Sequence, residues 1–127
     1  MPLKQKYPDT FTIPCVIGNA SFKRALCDLG ASISIMPKHV YDSLSLEPLN
    51  KTSIVIQLVD RSFVYPLGVI EDVLVKIDSL LIPCDFYILD MEHNYYDSST
   101  PILFGRLFLK TTNTKIYCGK DTLSMEV

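Results

Sequence analysis

Apolar residues recur at every second position through much of this chain, which is the period of a β-strand with one buried face. Phe11, Ile13, Cys15 and Ile17 form the first such run, and Gly18-Asn19 then supplies a two-residue hairpin turn into a second strand over 21–28. The same pattern predicts further strands at 53–58, 63–65, 73–77 and 84–88. The chain therefore reads as a mostly β domain of short strands joined by tight turns.

Two short helices interrupt this pattern. Pro37 suits the first position of a helix, and the spacing of Val40, Tyr41 and Leu44 places their side chains on one helical face. A second helix is predicted over 106–111. Both are too short to form a domain of their own.

The end of the chain predicts one more hairpin. Residues 115–118 and 122–127 flank the turn-forming sequence Gly119-Lys120-Asp121, and apolar residues alternate strictly with polar ones over 122–127. A strand at 122–127 would present an unpaired edge, which proteins normally cover or use for association.

Length and the remaining turn signals set the domain organisation. A chain of 127 residues is expected to form one domain, with residues 1–10 as a flexible N-terminal extension. Gly68 predicts a bend or bulge, and the polar run 92–100 predicts a loop.

Composition narrows the classes of function. The chain is 48% hydrophobic and 20% charged, which is typical of a globular protein, and its 12 basic residues are scattered with a net charge of −2. We therefore expect no nucleic-acid partner, and no membrane partner because no apolar run approaches the ~18 residues that span a bilayer.

The four cysteines lack the spacing of a metal site, and His39 and His93 are isolated from each other and from any cysteine pair. We expect free thiols, no bound metal and a reducing, intracellular compartment.

One polar run stands out from the strand pattern. Cys27-Asp28-Leu29-Gly30-Ala31-Ser32 places a carboxylate on a glycine turn between two apolar segments. Asp and Gly often form such turns for local reasons alone, so an ordinary turn is one interpretation. The other is catalytic, because a carboxylate in an apolar setting needs hydrogen bonds or a partner with which to share a proton.

A second motif favours the catalytic interpretation. The Asp-Leu-Gly-Ala-Ser run resembles the active-site motif of retropepsins, in which Thr or Ser takes the place of Leu29. Downstream, Ile102-Leu103-Phe104-Gly105-Arg106-Leu107-Phe108-Leu109 resembles a segment that follows the flap in proteases of plant gypsy-type retrotransposons. The resemblance covers 11–127, and 28–36, 57–62 and 102–109 carry most of it.

The resemblance implies a retropepsin-like closed β barrel of one lobe, the acid protease fold, which acts as a homodimer. Asp28 would be the catalytic aspartate and would pair with Asp28 of a second copy. Two carboxylates a few ångströms apart cannot both ionise easily, so the pair would hold one proton, activate a water and hydrolyse a peptide bond. No metal or organic cofactor would be required.

The resemblance also implies roles for three further groups of residues. The active-site turn would comprise Leu29, Gly30, Ala31 and Ser32. A flap that closes over the peptide substrate would comprise Leu58, Val59, Asp60, Arg61 and Ser62, whereas the pattern alone fits an ordinary exposed hairpin equally well. A supporting motif beneath the turn would comprise Ile102, Leu103, Gly105 and Arg106.

Leu29 leaves the function open between two classes. The first is an endopeptidase that processes a retrotransposon polyprotein in the cytoplasm or in virus-like particles. The second is a dimerisation or peptide-binding module with weak or no catalysis, because leucine cannot form the hydrogen bond that Thr or Ser makes across the retropepsin dimer. A third, more distant interpretation is a eukaryotic ubiquitin-linked retropepsin-like domain.

Overall fold

The computed structural model of the protein describes residues 10–57, 61–90 and 102–119. Six strands close into a barrel and two short strands form a separate hairpin outside it. In chain order the elements are β1 (Thr10–Ile17), β2 (Ala20–Asp28), β3 (Ser34–Pro37), α1 (Lys38–Ser43), β4 (Ile56–Gln57), β5 (Phe63–Val64), β6 (Gly68–Ile77), β7 (Leu80–Leu89), β8 (Leu103–Phe104) and α2 (Arg106–Gly119). The barrel order is β1-β2-β8-β3-β7-β6, with β6 pairing back onto β1.

The β1–β2 hairpin forms as the alternating pattern predicted. Ile17 pairs with Ala20 across the Gly18-Asn19 turn, and Gly18 adopts the left-handed φ of 61° that such a turn favours. Thr10, the last residue of the expected N-terminal extension, already pairs with Asp28, and residues 1–9 lie outside the described part of the chain.

The β6–β7 hairpin contains a bulge, but not at Gly68. Its register shifts between Ile70 and Val73, where Asp72 takes a φ of 58°. Gly68 instead begins β6 in contact with the preceding loop, since a Cβ there would lie 2.7 Å from the carbonyl oxygen of Asn50. The chain bends at Leu67, directly before this glycine, and the close approach of the Asn50 backbone leaves no room for a side chain at Gly68.

The barrel interior is packed with aliphatic, aromatic and thiol side chains. Phe104 stacks on Phe108 at a ring-centroid distance of 4.3 Å and contacts Phe86 at 5.9 Å. These contacts pack α2 and β8 against β7, so the segment 102–109, which resembles retropepsins, lies in the core.

Three thiols also lie in this interior, and none forms a disulfide. Burial raises the pKa of Cys15 to about 11 and the pKa values of Cys27 and Cys84 to about 12. The thiols are therefore protonated and poorly nucleophilic at neutral pH.

Both predicted helices are present, but α2 is longer than expected. It continues to Gly119, so the strand predicted at 115–118 is wrong, and the strand predicted at 122–127 lies outside the described residues. Thr111 and Thr112 favour strands locally, yet their hydroxyls donate to the carbonyl oxygens of Leu107 and Phe108 four residues earlier. Burial of Phe108, Leu109 and Thr112 against the barrel then outweighs the local preference.

Within the described residues, neither helix is long and apolar enough to cross a lipid bilayer.

Candidate active site

Asp28 lies at the last position of β2, where the chain turns sharply toward β3. The backbone N–H of Gly30 donates to the Asp28 carboxylate at 2.8 Å, and the N–H of Ala31 donates to the Asp28 carbonyl at 3.1 Å. A Cβ on Gly30 would lie 3.2 Å from the same carboxylate oxygen. The turn therefore fixes the carboxylate locally and leaves it half-exposed at the protein surface.

Strand β8 lies between the two strands that this turn connects. It pairs in parallel with β2 through Leu26 and Cys27, and antiparallel with β3 through Ile35. The N–H of Leu26 also donates to the carbonyl of Ile102 at 2.9 Å. Because β8 separates β2 from β3, the Asp28 turn must cross the end of β8, and the two sequence motifs meet there.

Gly105 and Arg106 make direct contact with the crossing segment. The Gly105 N–H donates to the buried Ser34 hydroxyl at 2.9 Å, and the Arg106 N–H donates to the Ala31 carbonyl at 2.6 Å. The Arg106 guanidinium reaches the Leu29 carbonyl at 3.4 Å. A Cβ on Gly105 would overlap the backbone carbonyl of Ile33, so only glycine fits here.

Leu29 packs inward, against the core of its own barrel. From the sequence, this position was considered only for its contacts with a second copy. Its half-buried side chain instead joins apolar contacts within the protomer.

The segment 54–57, which ends with β4, faces the turn across a cleft of about 450 Å³. One side of the cleft comprises residues 30–33 with Ile35 and Leu103, and the other comprises residues 54–57. The lining carries no ionisable side chain among the described residues, so the cleft suits apolar side chains and a peptide backbone.

The β4–β5 hairpin occupies the part of the chain predicted to be the flap, but its paired strands are shorter than expected. Among the described residues of the hairpin, only Ile56 with Val64 and Gln57 with Phe63 are paired. Arg61 is exposed with a φ of 74°, its carbonyl accepts from the Gln57 side chain at 3.4 Å, and Ser62 is also exposed. The predicted flap residues Leu58, Val59 and Asp60 lie outside the described residues.

The sequence interpretation missed two features of the site. Ser34 was not singled out, although a hydroxyl between Ile33 and Ile35 in an apolar run is a signal for a buried hydrogen bond. The cleft-lining role of Ile54 and Ile56 was also missed, because alternation shows which residues share a face but not what that face contacts.

Within residues 10–57, 61–90 and 102–119, no three His, Cys, Asp or Glu side chains are grouped so that they would hold a metal ion.

The chain matches no protein-family model and no curated protein sequence. Among 34 matching chains of solved structures is the retroviral protease-like domain of Ddi1 from Leishmania major. The two are 24% identical over 82% of this chain and 78% of that chain, with a TM-score of 0.61. This likeness shows the fold: the protein has a retropepsin-like closed β barrel, as the sequence predicted.

Proposed function

We propose that the protein is an aspartic endopeptidase that works as a homodimer, with one Asp28 from each copy forming the catalytic pair. The observation that carries this proposal is the Asp28 carboxylate on its glycine turn, 2.8 Å from the N–H of Gly30, which itself lines the uncharged cleft. The retropepsin-like fold supports it.

The half-exposed position of Asp28 supports a shared site. A second copy that met the first across the turn would bring two carboxylates together, and such a pair holds one proton. The ionised member takes a proton from a water whose oxygen bonds to the peptide carbonyl carbon, while the protonated member donates to the carbonyl oxygen. The newly protonated carboxyl then donates to the amide nitrogen while the other carboxylate accepts a proton from one hydroxyl of the tetrahedral diol, so that the C–N bond breaks, the amine and a carboxylic acid leave, and the pair again holds one proton.

The proposed substrate is a retrotransposon polyprotein, cleaved in the cytoplasm or in virus-like particles. The resemblance of residues 102–109 to plant gypsy-type proteases supports this assignment.

The alternative is a non-catalytic dimerisation or peptide-binding module of the same fold. Leu29 favours it, because this side chain packs into its own barrel and offers no hydroxyl to a second copy.

Mass spectrometry of cleavage products separates the two functions. The chain is incubated with denatured protein and with a peptide library at acid and neutral pH, beside the Asp28→Asn variant. Products that appear faster at acid pH and vanish in Asp28→Asn support the peptidase, since the pair must keep one proton. Peptide binding without products favours the module, and cleavage that survives in Asp28→Asn contradicts the proposed mechanism.

A further inference from the structure

A second groove adjoins the cleft on the outer side of the barrel. It has a volume of about 270 Å³ and lies between the segment 32–34, strand β7 and helix α2. Ser32 and Ile33 line both cavities, so the two meet at these residues. Residues 32 and 33 are therefore the part of the cleft wall from which a bound peptide would reach the groove.

The groove differs from the cleft in charge. Asp72 and Asp85 line it, and no lysine or arginine is among its described lining residues. The bulge in β6 brings these two residues together, because the N–H of Asp72 donates to the Asp85 carboxylate at 2.9 Å. Lys76 in β6 and Lys110 in α2 are exposed nearby in the sequence but do not line the groove.

Apolar side chains form the rest of the surface. Leu107 and Phe108 of α2 line the groove, and Leu107 is 68% exposed. Pro83 lines it from β7 and pairs with the exposed Leu74 of β6. Carboxylates above apolar walls are complementary to a lysine or arginine side chain, whose stem is apolar and whose head is charged.

We propose that the groove binds a lysine or arginine side chain of the substrate peptide, a few residues beyond the part that lies in the cleft. The cationic head lies between Asp72 and Asp85, and its stem lies against Leu107. The inference rests on the proposed function for its occupant, since the occupant is the peptide that fills the cleft. It assigns a substrate class: apolar cleavage sites flanked at a distance by a basic residue.

Peptide binding tests the proposal without hydrolysis. The probes are fluorescent peptides with an apolar centre joined through glycine spacers of increasing length to arginine, or in matched peptides to glutamate, on either side. Their affinities for the full chain carrying Asp28→Asn, which keeps the peptides intact, are measured by anisotropy.

Three variants locate the effect. Asp72→Asn and Asp85→Asn remove the two groove charges, and asparagine tolerates the left-handed φ of 58° at position 72. Asp78→Asn is the matched control, because Asp78 is also exposed with a φ of 56° but does not line the groove.

We expect the arginine peptide of the best spacer length to bind about tenfold more tightly than its glutamate match, and each groove variant to reduce its affinity about two- to fivefold. Asp78→Asn should leave the preference unchanged. Equal affinities for the arginine and glutamate peptides, or an equal loss in Asp78→Asn, would overturn the proposal.

The outcome is independent of the proposed peptidase activity. An arginine preference that depends on Asp72 and Asp85 supports the groove even if wild-type chain cleaves nothing. If the wild-type chain cleaves peptides but shows no arginine preference, the proposed peptidase activity is supported and the proposed role of the groove is wrong.

Discussion

Two glycines support the Asp28 turn in different ways. At Gly30 an added methyl group would crowd only a carboxylate oxygen, whereas at Gly105 it would overlap the backbone of Ile33. The first glycine therefore shapes the position of the Asp28 carboxylate, and the second permits the two motifs to pack.

Gly105→Ala should lower the free energy of unfolding by about 3 kcal/mol, because the backbone of Ile33 must move and the hydrogen bond to Ser34 is strained. Urea denaturation measures the loss. Gly30→Ala is the matched control and should cost less than about 1 kcal/mol while impairing cleavage. An equal loss of stability in the two variants would contradict this account of Gly105.

Leu29→Thr should raise the turnover of the proposed peptidase. Threonine is too short to keep the apolar contacts of Leu29 with the barrel, so its hydroxyl is available to order the two turns across the proposed dimer, and misplacement by about 1 Å costs about a hundredfold in rate. It should also destabilise the protomer by about 1 kcal/mol, since the lost apolar surface contacts the core.

Leu29→Val is the control for this effect, because valine has the shape of threonine without the hydroxyl. Turnover and urea denaturation are measured for both variants. Equal turnover in the threonine and valine variants would show that the hydroxyl has no role.

The buried thiols predict a loss of stability in alkali. Their pKa values are raised from 9.0 to about 11 or 12 in the folded state, so unfolded chains release these protons first. The thiol contribution is complete below about pH 9 and is lost as the pH rises toward 11 to 12, by up to ~1.4 kcal/mol per pH unit for each thiol.

Urea denaturation from about pH 8 to 11 measures this slope. In Cys27→Ala the free energy of unfolding should fall less steeply with pH, because one of the three thiols no longer contributes. This holds whatever the stability of the variant at neutral pH. An unchanged slope would show that Cys27 keeps no proton-linked contribution to folding.

At the scale of elements, the predictions succeed where a local signal and tertiary packing agree. The β1–β2 hairpin was predictable because strict alternation meets a turn that only small or flexible residues favour. The helical structure of residues 115–118 was not predictable. Residues in this part of the chain favour strands locally, but burial of the first turns of α2 stabilises the helix that continues through them.

The bulge at Asp72 could not be predicted from the sequence either. A non-glycine residue with positive φ is uncommon, and the hydrogen bond from its N–H to Asp85 joins residues 13 positions apart. Long-range contacts of this kind leave no periodic signal, so the groove that they shape could not be predicted.

The contribution of helix α2 to the stability of the fold should come from its buried side chains and not from its exposed ones. Phe108→Ala should cost about 3 to 5 kcal/mol in unfolding free energy, because Phe108 stacks on Phe104 and fills the core. Leu107→Ala, on the exposed face of the same turn, should change it by less than about 0.5 kcal/mol. Urea denaturation of both variants checks this, and a large loss in Leu107→Ala would contradict the packing described.

At the scale of the molecule, much of the candidate site was predictable from its two motifs. Asp28 and Gly30 were named from a turn signal, and Gly105 and Arg106 from a segment that resembles retropepsins. Their meeting across β8 is a property of the barrel, which the sequence suggested only through that resemblance. The inward packing of Leu29 could not be read from the sequence, because it depends on which barrel residues surround the turn.

The central claim is that each active site uses Asp28 from two copies, and mixing copies tests it most directly. Wild-type chain is equilibrated with a ninefold excess of Asp28→Asn, and the cleavage rate per wild-type chain is measured. Random exchange pairs about one wild-type chain in ten with another, so the account predicts a rate near a tenth of that of wild type alone. A rate per wild-type chain that the excess variant leaves unchanged would contradict the shared site.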